Sequence, residues 1–244
     1  MNLKPKAAAG HDETRRQLLE AAGEVFAAVG FREATVREIC RRAGANVAAV
    51  NYHFGDKEGL YAEVLRYAQQ KAFEKYPLLP GVGPDAAAAD KLRAFVRSFL
   101  LRVFDQGPMA WFGKMMMREM IEPTGALDSL LEERLQPMAG QLRTIVAEIL
   151  GCSSADEKAR LCSLSVVSQC VFYHHCRRVV ARLFPEQRLD ATAVDPLADH
   201  STRFSLAAMK HLPEAKTAIR QAQKIQQSQI ELTNAQSYVI HFLY

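Results

Sequence analysis

Between Thr35 and Phe54 the sequence writes two helices too short to stand alone, joined across a single glycine. Thr35-Val36-Arg37-Glu38 opens the first as a capping box, in which the threonine hydroxyl and the glutamate each satisfy a backbone N–H of the other. That helix ends before Gly44, since glycine accepts the left-handed conformation at a helix terminus. Asn46 caps the second, which runs from Val47 to His53 and is broken by Phe54-Gly55. Helices of about two turns are unstable in isolation, so neighbours must hold them. Leu18, Leu19, Ala22, Val25, Phe26 and Val29 recur at helical spacing ahead of the pair, with Asp12 as cap and Gly30 as stop. Behind it, Asp56 caps a fourth helix that reaches about Lys75. Two short helices meeting at a glycine-containing turn are the signature of a helix-turn-helix, whose second helix enters the major groove. The same spacing also occurs in all-helical proteins that do not bind DNA.

The rest of the chain is helical too, and no alternating strand pattern interrupts it. Residues 76–84, YPLLPGVGP, with three prolines and two glycines, read as a linker. Longer helices are expected near 86–106, 109–121, 126–150, 154–184 and 192–211, with Asp85 and Ser154 as caps. The expected fold is therefore all-α: a small helix-turn-helix head and a larger helical bundle. Residues 1–11 read as a flexible arm, 12–75 as the head, 76–213 as the body and 214–244 as a tail. The tail carries six glutamines between 221 and 236 and ends in YVIHFLY, an alternative protein-interaction element.

With 49% apolar and 24% charged residues, the 244-residue chain has the composition of a globular protein. No apolar run is long enough for a membrane span. The N-terminus lacks the apolar core of a signal peptide, so the expected location is the cytoplasm. There the five cysteines, at 40, 152, 162, 170 and 176, would be free thiols. A net charge of +4 permits nucleic acid without demanding it, and residues 1–75 balance 12 Lys and Arg against 10 Asp and Glu. Any grip on double-stranded DNA must then come from a few directed contacts. Asn46, Val47, Ala48 and Ala49 begin the second helix; the small residues allow close approach, and their methyl groups suit a thymine methyl. Asn51, Tyr52 and His53 follow one turn later, Lys57 stands at a helix N-terminus suited to phosphate, and Thr35 and Arg37 approach from the other side of the groove.

The segment from Gly30 to Leu60 resembles the N-terminal domain of the TetR family of transcription regulators. The matching pieces are Gly30-Phe31, Thr35-Val36-Arg37-Glu38-Ile39-Cys40, Ala43-Gly44-Ala45, Asn51-Tyr52-His53-Phe54 and Lys57-Glu58-Gly59-Leu60. The resemblance covers about residues 12–75 and implies that Thr35, Arg37, Val47, Ala48, Ala49, Tyr52, His53 and Lys57 face DNA. A tyrosine usual in that family's recognition helix is Asn51 here, which leaves its phosphate contact in question. Phe26, Ile39, Val50, Phe54 and Leu60 read as core. Further on, KMMMREMIEPTGALDSLLEERLQPM resembles the C-terminal domain of the CecR-like subgroup, with its Arg-Glu and Pro-Thr pairs. That subgroup's association with drug tolerance and export implies an antibiotic or other xenobiotic as effector.

A small hydrophobic effector suits the soft, aromatic stretch around residues 95–120, which includes Met109. Phe99, Phe104, Trp111, Phe112, Met115, Met116 and Met120, with Phe172, could line its pocket; the alternative is a packed core. Cys162, Cys170, His174 and Cys176 offer either a metal or redox site or ordinary packing, and no metal or cofactor is assigned. By the resemblance, the helices at about 154–184 and 192–211 build a homodimer; their apolar residues include Leu161, Leu164, Val179, Leu197 and Phe204. Nucleotide-binding and hydrolase motifs are lacking, and no histidine follows a glutamate by three, so an enzyme is not expected. The reading is a repressor released from a palindromic operator as ligand shifts the population of head separations.

Overall fold

A computed structural model describes residues 6–108 and 110–212, so Met109 and the glutamine-rich tail lie outside the described residues. Four helices make the head: α1 (Lys6–Glu33), α2 (Val36–Ala43), α3 (Val47–Phe54) and α4 (Lys57–Lys75). The body follows with α5 (Ala88–Val103), α6 (Trp111–Ile121), α7 (Gly125–Leu130), α8 (Gln136–Leu150), α9 (Glu157–His175), α10 (Arg177–Leu183) and α11 (Val194–His211). Among the described residues there is no strand.

Side-chain caps set the starts of the short helices. Thr35 Oγ1 accepts from the Glu38 amide at 3.3 Å, Asn46 Oδ1 from Ala49 at 2.9 Å and Asp56 Oδ1 from Gly59 at 2.7 Å. Each such cap is worth about 1 kcal/mol. The Thr35 box is half made: the Glu38 carboxylate turns to Arg41 and Arg42, at 2.8 and 2.7 Å. Their hydrogen bonds hold its pKa down at about 2. Gly44, at φ 64° and ψ 27°, is left-handed, and its N–H closes α2 on the Cys40 carbonyl. This is the turn between the two short helices, and a side chain there would be strained.

Several boundaries differ from the sequence expectation. α1 begins at Lys6, so residues 6–11 are helix rather than flexible arm, and Asp12 is not its cap. The Lys-Ala-Ala-Ala start explains this, alanine being the strongest helix former. α1 leaves helical geometry at Gly30 but resumes to Glu33. Expected helix 126–150 is α7 and α8 joined by a wider π-helical turn over Leu131–Leu135. Pro137 stands two residues beyond it; it lacks an N–H, and its ring clashes with the carbonyl four residues back, at Glu133 inside the turn, which favours the widening. Expected helix 154–184 is α9 and α10, parted at Cys176 after three weak helix formers, His174, His175 and Cys176. Asp156, not Ser154, caps α9, and α5 starts at Ala88 with Ala87 at the cap position in place of Asp85 and no side-chain cap bond.

The head core gathers Leu18, Leu19, Phe26, Ile39, Val50, Leu60, Tyr61 and Leu65. It does not stop at the head, because Trp111 and Met115 of α6 and Leu130 of α7 belong to it as well. Gly23 makes that union possible: a Cβ there would fall 2.3 Å from the Trp111 ring. In the body, α5, α8 and α9 pack on one another. Two ion pairs, Arg93–Asp199 and Arg97–Asp195, both at 2.6 Å, tie α5 to α11.

Candidate nucleic-acid interface

The N-terminal half of α3 faces solvent. Asn46, Val47 and Ala48 are exposed, as is Asn51, and Tyr52 is 73% exposed, unusual for a tyrosine without a partner surface. Thr35 and Arg37 are exposed at the start of α2. Arg37 makes no ion pair among the described residues, whereas Arg41, Arg42, Arg15 and Arg16 are all tied to glutamates. Tyr52, His53 and His11 form a ring cluster with centroids 5.0–5.4 Å apart. It borders a groove of about 300 Å³ lined also by Asn46, Ala48 and Ala49. Burial, then His11 and Arg15, lower the pKa of His53 and keep it a neutral donor–acceptor at pH 7. His11 went unnoticed in the sequence because it lay in what read as an arm.

Two of the expected contact residues sit differently. Ala49 is half-buried and packs on the head core. Lys57 has its ammonium on the carbonyls of Phe31, Arg32 and Ala34, at 3.1, 3.3 and 3.2 Å, and 4.5 Å from the Phe31 ring centroid. Three N–H donors meet three acceptors, so Lys57 caps the end of α1, where helix carbonyls otherwise lack partners.

The eight residues expected around an effector do not share one cavity. Trp111 and Met115 are core between α6 and α1, and Phe112 and Met116 pack against the same cluster. Met120 is 61% exposed and Phe172 52% exposed, on separate helices. Phe99 is half-buried beside Arg102. Phe104 alone of the eight lines the 250 Å³ cavity between the ends of α4 and α5, with Tyr76, Leu101 and Val194. The physical reason is the small residue at Gly23, which draws Trp111 into the head and takes its helical face out of the body. Cys170 is buried and His174 half-buried against Gly113, and among the described residues no three His, Cys, Asp or Glu side chains converge as metal ligands do. All five cysteines are free.

Head and body share a buried polar contact that sequence reasoning missed. Glu119 of α6 is 1% exposed, and its Oε1 accepts from the Tyr61 hydroxyl of α4 at 2.6 Å. The Thr124 amide donates to Oε2 at 3.0 Å, and the Thr124 hydroxyl bonds the same carboxylate at 3.1 Å. Arg118, next in sequence, donates to the Ala28 carbonyl of α1 at 3.0 Å. The Arg-Glu and Pro-Thr pairs of the sequence pattern are thus Arg118-Glu119 and Pro123-Thr124.

A capped helix-turn-helix with an exposed second helix, packed on a larger helical body, is the architecture of a transcription regulator with a separate C-terminal domain. Residues 18–64 match bacterial regulatory proteins of the tetR family, and residues 88–209 match the HTH-type transcriptional dual regulator CecR, C-terminal domain. The chain belongs to the TetR family of DNA-binding transcriptional regulators, with a CecR-type body. It is 28% identical to the dual regulator CecR of Shigella flexneri, over 65% of this chain and 74% of that protein. The regulator SrpR of Pseudomonas putida is 36% identical over 39% of this chain and 42% of that protein. A TetR-family regulatory protein from Rhodococcus RHA1 superposes with a TM-score of 0.59 at 20% identity, covering 80% of this chain and 96% of its own. A TetR-like regulator from Rhodococcus sp. RHA1 gives 0.56 at 18% identity, over 82% and 97%. At such identities the likeness concerns the fold. Members of this family bind DNA and are typically dimers, and the relatives are regulators rather than enzymes. No described helix is long and apolar enough to cross a membrane.

Proposed function

We propose that this protein is a cytoplasmic repressor that works as a homodimer on a palindromic operator and lets go when a small hydrophobic molecule, an antibiotic or other xenobiotic, binds the body. Its targets on this reading are export or tolerance genes, as the CecR-type body suggests. The observation that carries the DNA half is the solvent face of α3: exposed Asn46, Val47 and Ala48, then Asn51 and Tyr52, beside the exposed Arg37. These groups suit base-edge and phosphate contact, with specificity from close fit because the head has little net charge. Thr35 and His53 complete the contact set; Ala49 and Lys57 support it from within the head.

Dimerisation is supported by an unpartnered apolar stripe. Leu161, Leu164 and Phe172 lie exposed along α9, Val179 on α10 and Phe204, 60% exposed, on α11. A single chain rarely leaves such a run in water. Leu197, expected in the same face, is buried and belongs to the core. Two heads held by that face would meet half-sites related by the same two-fold axis.

Selection of bound sequences from random duplex DNA by the purified full chain tests the reading, with solution mass measured on the same sample. An enriched palindrome and a dimer are expected, followed by release when candidate xenobiotics are added. A monomer with no enriched palindrome would overturn it.

A further inference from the structure

The groove beside the DNA-reading helix has a wall that this helix does not supply. Most of its lining comes from α3 and the Asn46 cap, but His11 and Thr14 belong to α1. His11 stands there because α1 begins at Lys6, which carries this residue on a helix rather than on a loose arm. The groove measures about 300 Å³. A water's share of the liquid is about 30 Å³, and a phosphate group takes the place of only a few waters, so it enters with space over.

The lining is rich in donors and holds no carboxylate. Asn46 gives its Oδ1 to the Ala49 amide at 2.9 Å, which leaves its two N–H donors for another acceptor. The Tyr52 hydroxyl and the nitrogens of both imidazoles enter no hydrogen bond among the described residues. The His11 ring centroid lies 5.2 Å from that of Tyr52 and 5.4 Å from that of His53. Rings gathered only to hold α1 in place would be covered by their packing, yet His11 and Tyr52 are both exposed.

The charges around this cluster are few. His11, Arg15 and Asp12, all of α1, are the groups that act on His53. Arg15 is engaged with Glu63 of α4 and lies over the Phe54 ring. Asp12 is exposed and is the one carboxylate of the three, so it alone favours a protonated His53. Thr14, Asn46 and the two alanines of the lining carry no charge. Two imidazolium ions side by side repel, and an anion beside them reverses that cost.

We infer that this groove seats one backbone phosphate of bound DNA in each head, and that His11 is a contact residue which, with His53, takes up a proton as the DNA arrives. This rests on α3 being the DNA-reading helix, and it extends the interface onto α1. Phosphate oxygens only accept, and they carry charge. A groove of hydroxyl, amide and imidazole donors answers both properties once a ring is protonated. A proton held more tightly in the complex than in the free protein makes binding stronger as pH falls through the imidazole range. One such proton per head is worth about tenfold in affinity per head between about pH 8 and pH 6.

Fluorescence anisotropy of the full chain with two labelled duplexes, one of random sequence and one recovered by sequence selection, tests this at fixed ionic strength. The wild type should bind both at least about tenfold more tightly at pH 6 than at pH 8. His11→Gln should match the wild type at pH 8 and lose most of the gain at pH 6. His11→Arg, with a permanent charge, should bind at pH 8 nearly as tightly as the wild type does at pH 6, a rescue that a ring needed only for packing would not give. Circular dichroism of both variants reports whether they fold. The inference is overturned if His11→Gln keeps the wild-type pH profile, if it weakens binding equally at every pH, or if His11→Arg fails to restore affinity at pH 8. The first two outcomes leave the DNA-reading role of α3 standing. A wild-type chain that binds neither duplex at any pH brings down that role and the phosphate seat together.

Discussion

Replacing Tyr61 with phenylalanine removes one oxygen from the contact between head and body and little else. The lost hydroxyl donates to Glu119 Oε1 at 2.6 Å, and both residues are buried. A hydrogen bond to a charged group is worth about 1.5–3 kcal/mol. The carboxylate keeps the Thr124 amide and hydroxyl, so it is not orphaned, and the cost belongs in the middle of that range, about 2 kcal/mol. For a chain of this size each kcal/mol moves Tm by roughly 2–4 °C, giving a fall of about 4–8 °C. Burial and the Glu119 bond also raise the Tyr61 pKa above its ordinary 10.0. The folded state therefore holds that proton more tightly than the unfolded one, and this contribution to stability, complete below pH 10, declines as pH rises beyond it. Tyr61→Phe should lose less stability than wild type on that alkaline side. Urea and thermal unfolding of wild type, Tyr61→Phe, Glu119→Gln and the double variant form a cycle. A coupling of about 1–2 kcal/mol is expected for groups in direct contact. A single-variant loss below about 0.5 kcal/mol, or strict additivity, would refute the reasoning.

Gly23→Val drives a side chain into the Trp111 ring and should cost about 1–3 kcal/mol by overpacking, read as a lower urea midpoint and a changed Trp111 emission. Lys57→Met removes three bonds to the carbonyls ending α1; it should lower Tm and leave the salt dependence of operator binding unchanged. Arg37→Ala should do the opposite, keeping Tm and flattening the log Kd versus log salt slope by about 1 per head. Burial first, then His175 and Arg177, lowers the pKa of His174 below 6.5. The unfolded state then takes up that proton first, so stability present above pH 6.5 is lost as pH falls below it, and His174→Gln should flatten this acid limb in pH-dependent melting curves.

The head was legible from the sequence because its signals are local. Caps at Thr35, Asn46 and Asp56, and the left-handed Gly44, each act within four residues, and all four stand where the pattern puts them. What the sequence could not convey was whose partner a side chain would be. Lys57 and Arg37 look alike as cations near a helix start, yet one is spent on carbonyls 23–26 residues away and the other is exposed, with no ion pair among the described residues. Trp111 and Met115 share a helical face, as the periodicity requires, but which body that face meets depends on Gly23, nearly ninety residues earlier. Arg118-Glu119 and Pro123-Thr124 were visible as a pattern without a purpose, because Tyr61 and Ala28 supply that purpose from the other half of the chain.

These long-range contacts change what α6 is. Had Trp111, Met115 and Glu119 lined a pocket, α6 would have been a wall of the sensor. Instead it is seated in the head by an apolar face, by Arg118 on α1 and by Glu119 on α4, while Gly113 on the same helix lies against His174 of α9. A ligand that bound among the α6 aromatics would have to displace core of the head itself, at a cost of several kcal/mol.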